Sequence, residues 1–171
     1  MDSIFDPIGD GNCGFWCIAQ AVFGDQERWS QVRLEMATFL EKEKSNFTKI
    51  PGGNDQFLKI LNNVKAIDSK IKKTHWLSKL DMGQLAADTF KRPISFISIH
   101  ESHCYVPFNV GPSGLSLISL CFVNENHWVL LLPKSDLFPI PPFLKVPKSL
   151  NKNVVKWKKE LCDSMLLNTK K

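Results

Sequence analysis

The first half of the chain has the hydrophobic pattern of amphipathic helices. Val32, Met36, Phe39 and Leu40 fall on one face of a helix, because they recur three and four positions apart. The stretch 51–54, Pro-Gly-Gly-Asn, interrupts this pattern, since proline and glycine break regular structure. The pattern and its interruptions predict four helices, at 14–23, 29–43, 55–65 and 81–90.

The pattern changes from helices to strands near residue 94. The segment 94–99 is a nearly continuous apolar run, which is typical of a strand inside a sheet. Shorter strand-like runs follow at 105–106, 115–123 and 127–132. The turn residues at 124–126 lie between the last two runs and predict a β-hairpin. The order of these elements predicts a mixed α/β domain.

The C-terminal part of the chain has a different composition. Five prolines lie within 133–147, which predicts an extended linker. The segment 151–167 then has the pattern of an amphipathic helix. Residues 145–171 hold eight lysines and two acidic residues, whereas the rest of the chain is close to neutral. We therefore predict one domain at 1–135, followed at 136–171 by a proline-rich linker and a lysine-rich helix.

Composition narrows the class of protein. A chain of 171 residues that is 43% hydrophobic has the size of one domain and can form a core. It has no run of about 18 uncharged apolar residues, so no membrane helix is predicted. Its first residues lack the basic start of a secretory signal. The five cysteines have no disulfide-like spacing, which favours reduced thiols and hence a cytoplasmic or nuclear location.

One cysteine lies on a glycine-bracketed turn just before the first predicted helix. Cys13 follows Asp10, Gly11 and Asn12, and Gly14 comes next. The positive end of the helix dipole favours a thiolate there, so we expect a pKa below that of a free cysteine. Small residues leave room for an incoming carbonyl, and N–H groups at Gly11 and Asn12 are placed to donate to an oxyanion. Although most free cysteines belong to the core, Cys13 is the candidate nucleophile.

A thiol nucleophile needs a base, and His127 is the candidate. It stands at the start of the last strand-like run, and it would accept the thiol proton and later donate it to a leaving amine. The His and Cys residues at 100–104 are expected to form a loop after a strand. Cys13 and Cys17 lack the second ligand pair of a zinc site. We therefore expect neither a metal ion nor another cofactor.

These two segments resemble the signatures of the ovarian-tumour (OTU) family of cysteine deubiquitinases. The first signature is Asp-Gly-Asn/Asp-Cys followed by an aromatic residue, as at 10–15, and the second is a late His followed by an aromatic, as in His127 and Trp128. The segment 76–87 is similar to the family's central helix, and the resemblance covers roughly 5–133. It implies an α/β (α+β) fold of the papain-like cysteine protease type, with a small central, mostly antiparallel β-sheet flanked by helices.

The resemblance also implies a third residue that orients the histidine. Many family members have Asp or Asn two positions after the histidine, where this chain has Val129. The acid of the Asp-Gly-Asn-Cys motif is often given the role, so Asp10 is the preferred candidate. Asn124, Glu125 and Asn126, just before the histidine, are the alternatives.

Two positions beside the cysteine differ from the commonest family pattern, which has Leu and then Arg. This chain has Gly14 and Trp16 there. We expect Gly14 to widen the cleft beside Cys13, and Trp16 either to line the substrate face or to pack. The narrow tunnel for the last two glycines of ubiquitin would be lined by Gly11, Gly14 and Trp128. A Gly-Phe version of the nucleophile motif also occurs beside transposase-like sequences, so the chain is similar to the mobile-element-associated eukaryotic branch of the family.

The function implied by the resemblance is that of a thiol-dependent deubiquitinase. It would hydrolyse the isopeptide bond after the C-terminal glycine of ubiquitin, with ubiquitin or polyubiquitin chains as partners, as a monomer and without a membrane. One alternative is a catalytically weak ubiquitin-binding module. Another is a nucleic-acid-associated protein that uses its basic tail, which is disfavoured because the body lacks basic patches interleaved with aromatic residues.

Overall fold

The computed structural model describes residues 3–49, 51–68, 70–132, 140–143 and 151–168, with side chains described as far as Asp163 in the last range. The helices are α1 (Cys13–Phe23), α2 (Trp29–Lys42), α3 (Lys44–Phe47), α4 (Gly53–Val64), α5 (Lys79–Phe90) and α6 (Lys152–Asn168). The strands are β1 (Ser3–Phe5), β2 (Ile94–Ile97), β3 (His103–Tyr105), β4 (Ile118–Val123) and β5 (His127–Leu132). Short 3-10 turns occupy Gln26–Arg28 and Lys73–His75.

The strands form one sheet in the order β1-β5-β4-β2-β3. The pair β2–β4 is parallel, and the other neighbouring pairs are antiparallel. The hairpin of β4 and β5 is confirmed, with Val123 opposite His127. The expected α/β (α+β) fold with a small, mostly antiparallel sheet is therefore confirmed. The sequence pattern missed β1, because three residues are too few to show an alternation.

Helix α1 occupies the centre of the core. It contacts α2 on one side and β4 and β5 on another. Its residues from Phe15 to Ala19 are almost wholly buried, which explains why the sequence there is nearly all apolar. The helix is capped by Gly24, whose φ of 69° is the left-handed conformation that glycine adopts at helix ends.

Helix α5 packs beside β2 and β3 and begins two residues earlier than the sequence pattern predicts. The side chain of Ser78 accepts a hydrogen bond from the N–H of Asp81, and this cap fixes the start of the helix. Gly83 lies directly against the ring of Tyr105, with no room for a β-carbon. The close approach brings α5 onto the edge of the sheet.

The C-terminal helix α6 packs on the domain. Val154 and Trp157 are fully buried in a small cluster with Cys104 and Val106. The indole N–H of Trp157 donates to the carbonyl of Val110, at 2.8 Å. The described part of the expected linker, 140–143, also contacts the sheet, because the N–H of Cys104 donates to the carbonyl of Pro142. The predicted domain boundary at 135 lies outside the described residues.

Of the helices described, none is both long and apolar enough to cross a lipid bilayer.

Candidate active site

Cys13 is the first residue of α1, and its sulfur lies against the start of β5. The backbone N–H of Trp128 donates to Sγ of Cys13, at 3.3 Å. The N–H groups of Gly14 and of Cys13 itself also stabilise the thiolate form. The start of the helix and the start of the last strand therefore meet at the sulfur, and the residue before Trp128 is His127.

Burial nevertheless raises the pKa of the Cys13 thiol above its ordinary value. The residue is only 3% exposed, and loss of water disfavours the charged thiolate. The N–H groups of Trp128 and Gly14 lower the pKa by less than burial raises it, and the nearby Asp10 raises it further. The expectation of a pKa below that of a free cysteine is therefore wrong for this conformation.

His127 is held by a carboxylate that the sequence pattern did not single out. Its Nε2 lies 2.7 Å from Oδ1 of Asp6. Asp6 follows β1, and the pairing of Phe5 with Leu130 brings the end of β1 to the start of β5. The other ring nitrogen, Nδ1, lies near Gly9: a β-carbon placed on Gly9 would be 3.8 Å from it. No hydrogen bond joins the histidine to Cys13 within the described part of the chain.

Asp10, the preferred orienting residue, instead closes the turn before the cysteine. Its Oδ1 accepts the backbone N–H of Asn12 at 2.7 Å. Its Oδ2 lies 3.3 Å from both the side-chain amide of Asn12 and the indole N–H of Trp16. The structure therefore places Asp6, and not Asp10, against the imidazole of His127.

The three alternatives before the histidine form the turn of the hairpin. Asn124 and Glu125 adopt positive φ values of 51° and 56°. The carboxylate of Glu125 lies 3.2 Å from Nε2 of His100, and the N–H of Asn126 donates to the carbonyl of Val123. Among the hydrogen bonds of the described residues, none links these three side chains to His127.

The expected oxyanion donors are only partly available. The N–H of Asn12 is already bound to Asp10. Gly11 has a φ of 89°, and a β-carbon there would lie 2.7 Å from the carbonyl oxygen of Ile71 and from Nε1 of Trp76. Glycine is therefore required at this position for the loop to pack closely. The N–H groups of Cys13 and Gly14, at the start of α1, are better placed than that of Asn12 to receive a developing negative charge.

The residues expected to line the substrate channel are buried. A β-carbon at Gly14 would lie 2.5 Å from Cδ2 of Leu77 and 3.1 Å from Cδ1 of Trp128, so the space that glycine leaves is filled. Trp16 stacks on Trp29, with ring centroids 6.1 Å apart. The indole N–H of Trp128 donates to the carbonyl of Leu77. The expectation that Gly14 widens the cleft is therefore wrong for this conformation, and both tryptophans pack in the interior.

A buried arginine that the sequence pattern did not single out organises the loop around the cysteine. Arg33, on α2, is 0% exposed. Its Nε donates to Oδ1 of Asn12 at 3.0 Å, and its two terminal nitrogens donate to the carbonyls of Asn63 and His75 at 2.8 and 3.0 Å. The guanidinium also lies 3.7 Å above the ring of Phe15. Burial lowers the pKa of Arg33 to about 10, so it stays charged at neutral pH.

Asn12 connects this arginine to the rest of the loop. Its side-chain amide also donates to the carbonyl of Asp68, at 3.1 Å. Its backbone carbonyl accepts the N–H groups of Phe15 and Trp16 in the first turn of α1. A sequence signal for Arg33 did exist, because it occupies a position on the apolar face of α2, among Val32 and Met36.

Within the described residues, no three His, Cys, Asp or Glu side chains are grouped as potential metal ligands.

Comparison with solved structures identifies the fold. The chain is similar to the OTU domain of OTUD1, with a TM-score of 0.55 and 15% identity over 77% of this chain and 86% of that one. It is also similar to the viral OTU domain protease of Qalyub virus, with a TM-score of 0.55 and 15% identity over 77% of this chain and 84% of that one. No family model and no curated protein matches the sequence. The likeness shows that the chain has the OTU fold.

Proposed function

We propose that this chain with an OTU fold is a thiol-dependent deubiquitinase. In this proposal Cys13 is the nucleophile, His127 is the general base and acid, and Asp6 orients the imidazole. The observation that carries the proposal is the meeting of the starts of α1 and β5, where Trp128 N–H contacts the sulfur and the preceding histidine is paired with a carboxylate. Further support is that one neighbour in fold, from Qalyub virus, is described as a protease.

The proposed reaction begins with proton transfer from Cys13 to Nδ1 of His127, the imidazole nitrogen that does not face Asp6. The thiolate then attacks the carbonyl carbon of the last glycine of ubiquitin, and the N–H groups at the start of α1 stabilise the oxyanion. His127 donates its proton to the leaving lysine amine, which leaves a thioester on Cys13. Water, deprotonated by His127, hydrolyses the thioester and releases ubiquitin.

Asp6 acts on the histidine rather than on the substrate. A carboxylate at Nε2 favours the tautomer with a proton on that nitrogen, and so leaves Nδ1 free to accept a proton from the thiol. The same carboxylate stabilises the imidazolium that forms after the transfer. Because Asp6 is 71% exposed, its effect is weakened by solvent, and we expect a contribution to rate smaller than that of the histidine itself.

A ubiquitin probe with an electrophilic C-terminal propargylamide tests this function. We expect a covalent adduct on Cys13, which intact mass and peptide mapping would locate. The variant Cys13→Ala should give no adduct, whereas Cys121→Ala, a half-buried cysteine on β4, should still react. A wild-type protein that binds ubiquitin but never forms the adduct would overturn the proposal.

That last outcome would establish the second candidate function, a catalytically silent ubiquitin-binding module. The burial of Cys13 and the raised pKa of its thiol favour this alternative. The pairing of His127 with Asp6 favours the enzyme, because a binding module has no need of an oriented imidazole.

A further inference from the structure

A cavity of about 420 Å³ lies between the end of α2, helix α3, helix α5 and the segment after β3. Its apolar lining comes mainly from the rings of Phe39, Phe47 and Phe108. Glu43 and Asp88, two acidic residues, are also among its lining residues. The volume is within the range of small-molecule sites in proteins, and neither Cys13 nor His127 lines it.

Asp88 is a nearly buried carboxylate, 7% exposed, whose position is fixed by neutral donors. Its Oδ1 accepts the backbone N–H of Phe108 at 2.6 Å, and its Oδ2 accepts the side-chain amide of Gln84 at 3.1 Å. Gln84 is itself held by the carbonyl of Val106. The backbone N–H of Asn109 is a third donor to this carboxylate. Its two oxygens offer about four acceptor positions, so Asp88 can accept one more donor from the cavity.

The negative charge at this cavity has no positive partner in the described structure. The ion pairs among the described residues involve neither Asp88 nor Glu43. Lys44, which follows Glu43 in the chain, extends instead to the ring of Phe57. Burial, and to a smaller extent the charge of Glu43, raises the pKa of Asp88 to about 6. A cation bound in the cavity would relieve the repulsion between the two carboxylates.

Aromatic rings add to the attraction for a cation. The faces of phenylalanine rings carry partial negative charge and attract ammonium groups, more strongly where water is excluded. Three rings and two carboxylates around one cavity are therefore complementary to a positive group on an apolar body. A neutral apolar ligand would fill the same volume but would leave both carboxylates uncompensated.

We propose that this cavity is a second binding site, separate from Cys13, for a small organic cation with a primary ammonium on an apolar body. The ammonium binds Asp88 and Glu43, and the apolar body packs among Phe39, Phe47 and Phe108. The proposal does not depend on the proposed hydrolase activity.

Phenethylamine and phenethyl alcohol are matched probes, because they differ mainly in the charged group. Binding to the full chain at neutral pH would be followed by chemical shifts in NMR spectra and by calorimetry. We expect the amine to bind at least about tenfold more tightly than the alcohol, with the largest shifts at the cavity. Equal affinities, or shifts centred on Cys13, would overturn the proposal.

Variants at the carboxylates separate the charge from the fold. Asp88→Asn keeps an acceptor for the N–H of Phe108 and should abolish the preference for the amine. Glu43→Gln should reduce that preference, and it provides the same test should Asp88→Asn fail to fold. Asp81→Asn is the control, since Asp81 also lies on α5 but pairs with Lys59. A preference for the amine that survives both cavity variants would refute the assignment.

The pH dependence gives an independent readout. Asp88 and Glu43 are the titratable residues in the lining, and the other polar lining residues, Asn46, Gln84 and Asn109, do not titrate. Because the pKa of Asp88 is about 6, the amine should lose affinity as the pH falls through that value, whereas the alcohol should not. An amine affinity that is constant from neutral pH to well below 6 would contradict the role of Asp88.

Discussion

Replacing Arg33 by methionine should cost both stability and catalytic rate. The guanidinium donates to three buried acceptors, on Asn12, Asn63 and His75. Methionine fills a similar volume but leaves all three unpaired. Each hydrogen bond from a charged group contributes about 1.5–3 kcal/mol, and an unpaired buried acceptor costs about 1–3 kcal/mol.

These contributions do not simply add. Burying the guanidinium is itself costly, as the lowering of its pKa to about 10 shows, and removal of the charge recovers that cost. The backbone carbonyls of Asn63 and His75 can also shift towards other donors. We therefore expect the free energy of unfolding to fall by about 3–5 kcal/mol, near the upper end for single substitutions.

Urea unfolding followed by tryptophan fluorescence measures this change, and Arg92→Met is the matched control. Arg92 also donates to backbone carbonyls, of Ser116 and Ala21, but it lies near the opposite end of α1 from Cys13. Both variants should lose stability. When rates are compared under conditions in which each variant is folded, only Arg33→Met should lower kcat/KM by about tenfold or more, because Arg33, unlike Arg92, binds the side chain of Asn12.

Arg33→Lys separates the charge from the geometry. A lysine keeps the positive charge but lacks the planar fork that reaches three acceptors at once, so we expect an intermediate loss of stability and of rate. A loss of stability below about 1 kcal/mol for Arg33→Met would refute the reasoning about the buried network. A folded Arg33→Met with wild-type kcat/KM would show that Arg33 stabilises the fold without positioning the loop.

Three further predictions concern the cysteine, the two acids and the tail. Iodoacetamide should modify the exposed Cys162 before the buried Cys13. Modification of Cys13 should become faster as the pH rises, because burial raises the pKa of its thiol. Peptide mapping that found Cys13 modified first would contradict this. Asp6→Asn should lower kcat/KM by about tenfold or more, because Asp6 is the one of these two acids that contacts His127. Asp10→Asn should lower it by less when the two variants are compared at the same folded fraction. The reverse order in steady-state assays would refute the assignment. Ending the chain at Pro147 removes the buried Trp157 and should lower the free energy of unfolding, measured in urea, by about 2–4 kcal/mol. The rate of ubiquitin cleavage at low temperature should stay within a few-fold of that of the full chain. A folded but inactive truncation would contradict this.

The helices and the hairpin could be predicted because their signals are local. Each of the four predicted helices agrees with the structure to within about two residues at either end, since periodicity, caps and breaking residues lie within the element itself. Helix α3 was not predicted, because a single turn at Lys44–Phe47 is too short to show a period. The β4–β5 hairpin was equally local, because a turn of a few residues separates its strands.

The carboxylate that contacts His127 could not be predicted in the same way. Asp6 and His127 are separated by 121 positions, and they meet only because β1 pairs with β5. That strand has three residues and an exposed Ile4, so its alternation carries little information. Asp10 was the natural choice from the motif, but its carboxylate is committed to the nearby N–H groups of Asn12 and Trp16. Arg33 differs, because a charged residue on an apolar helix face was visible in the sequence.

Gly14 shows how a sequence signal can be correct while its interpretation is wrong. A glycine beside the proposed nucleophile does indicate close approach, but the sequence does not say which group approaches it. Here Leu77 and Trp128 fill the space. Leu77 lies two residues after His75, whose carbonyl accepts a hydrogen bond from Arg33. Arg33 also donates to Asn12, so the segment packed on Gly14 and the loop that carries Asn12 are bound to the same guanidinium. In the proposed reaction an acyl substrate would reach the buried sulfur only after neighbouring groups move, and Arg33 binds two segments beside that sulfur. Arg33 therefore connects the loop that carries Asn12 with the segment that packs on Gly14 beside Cys13.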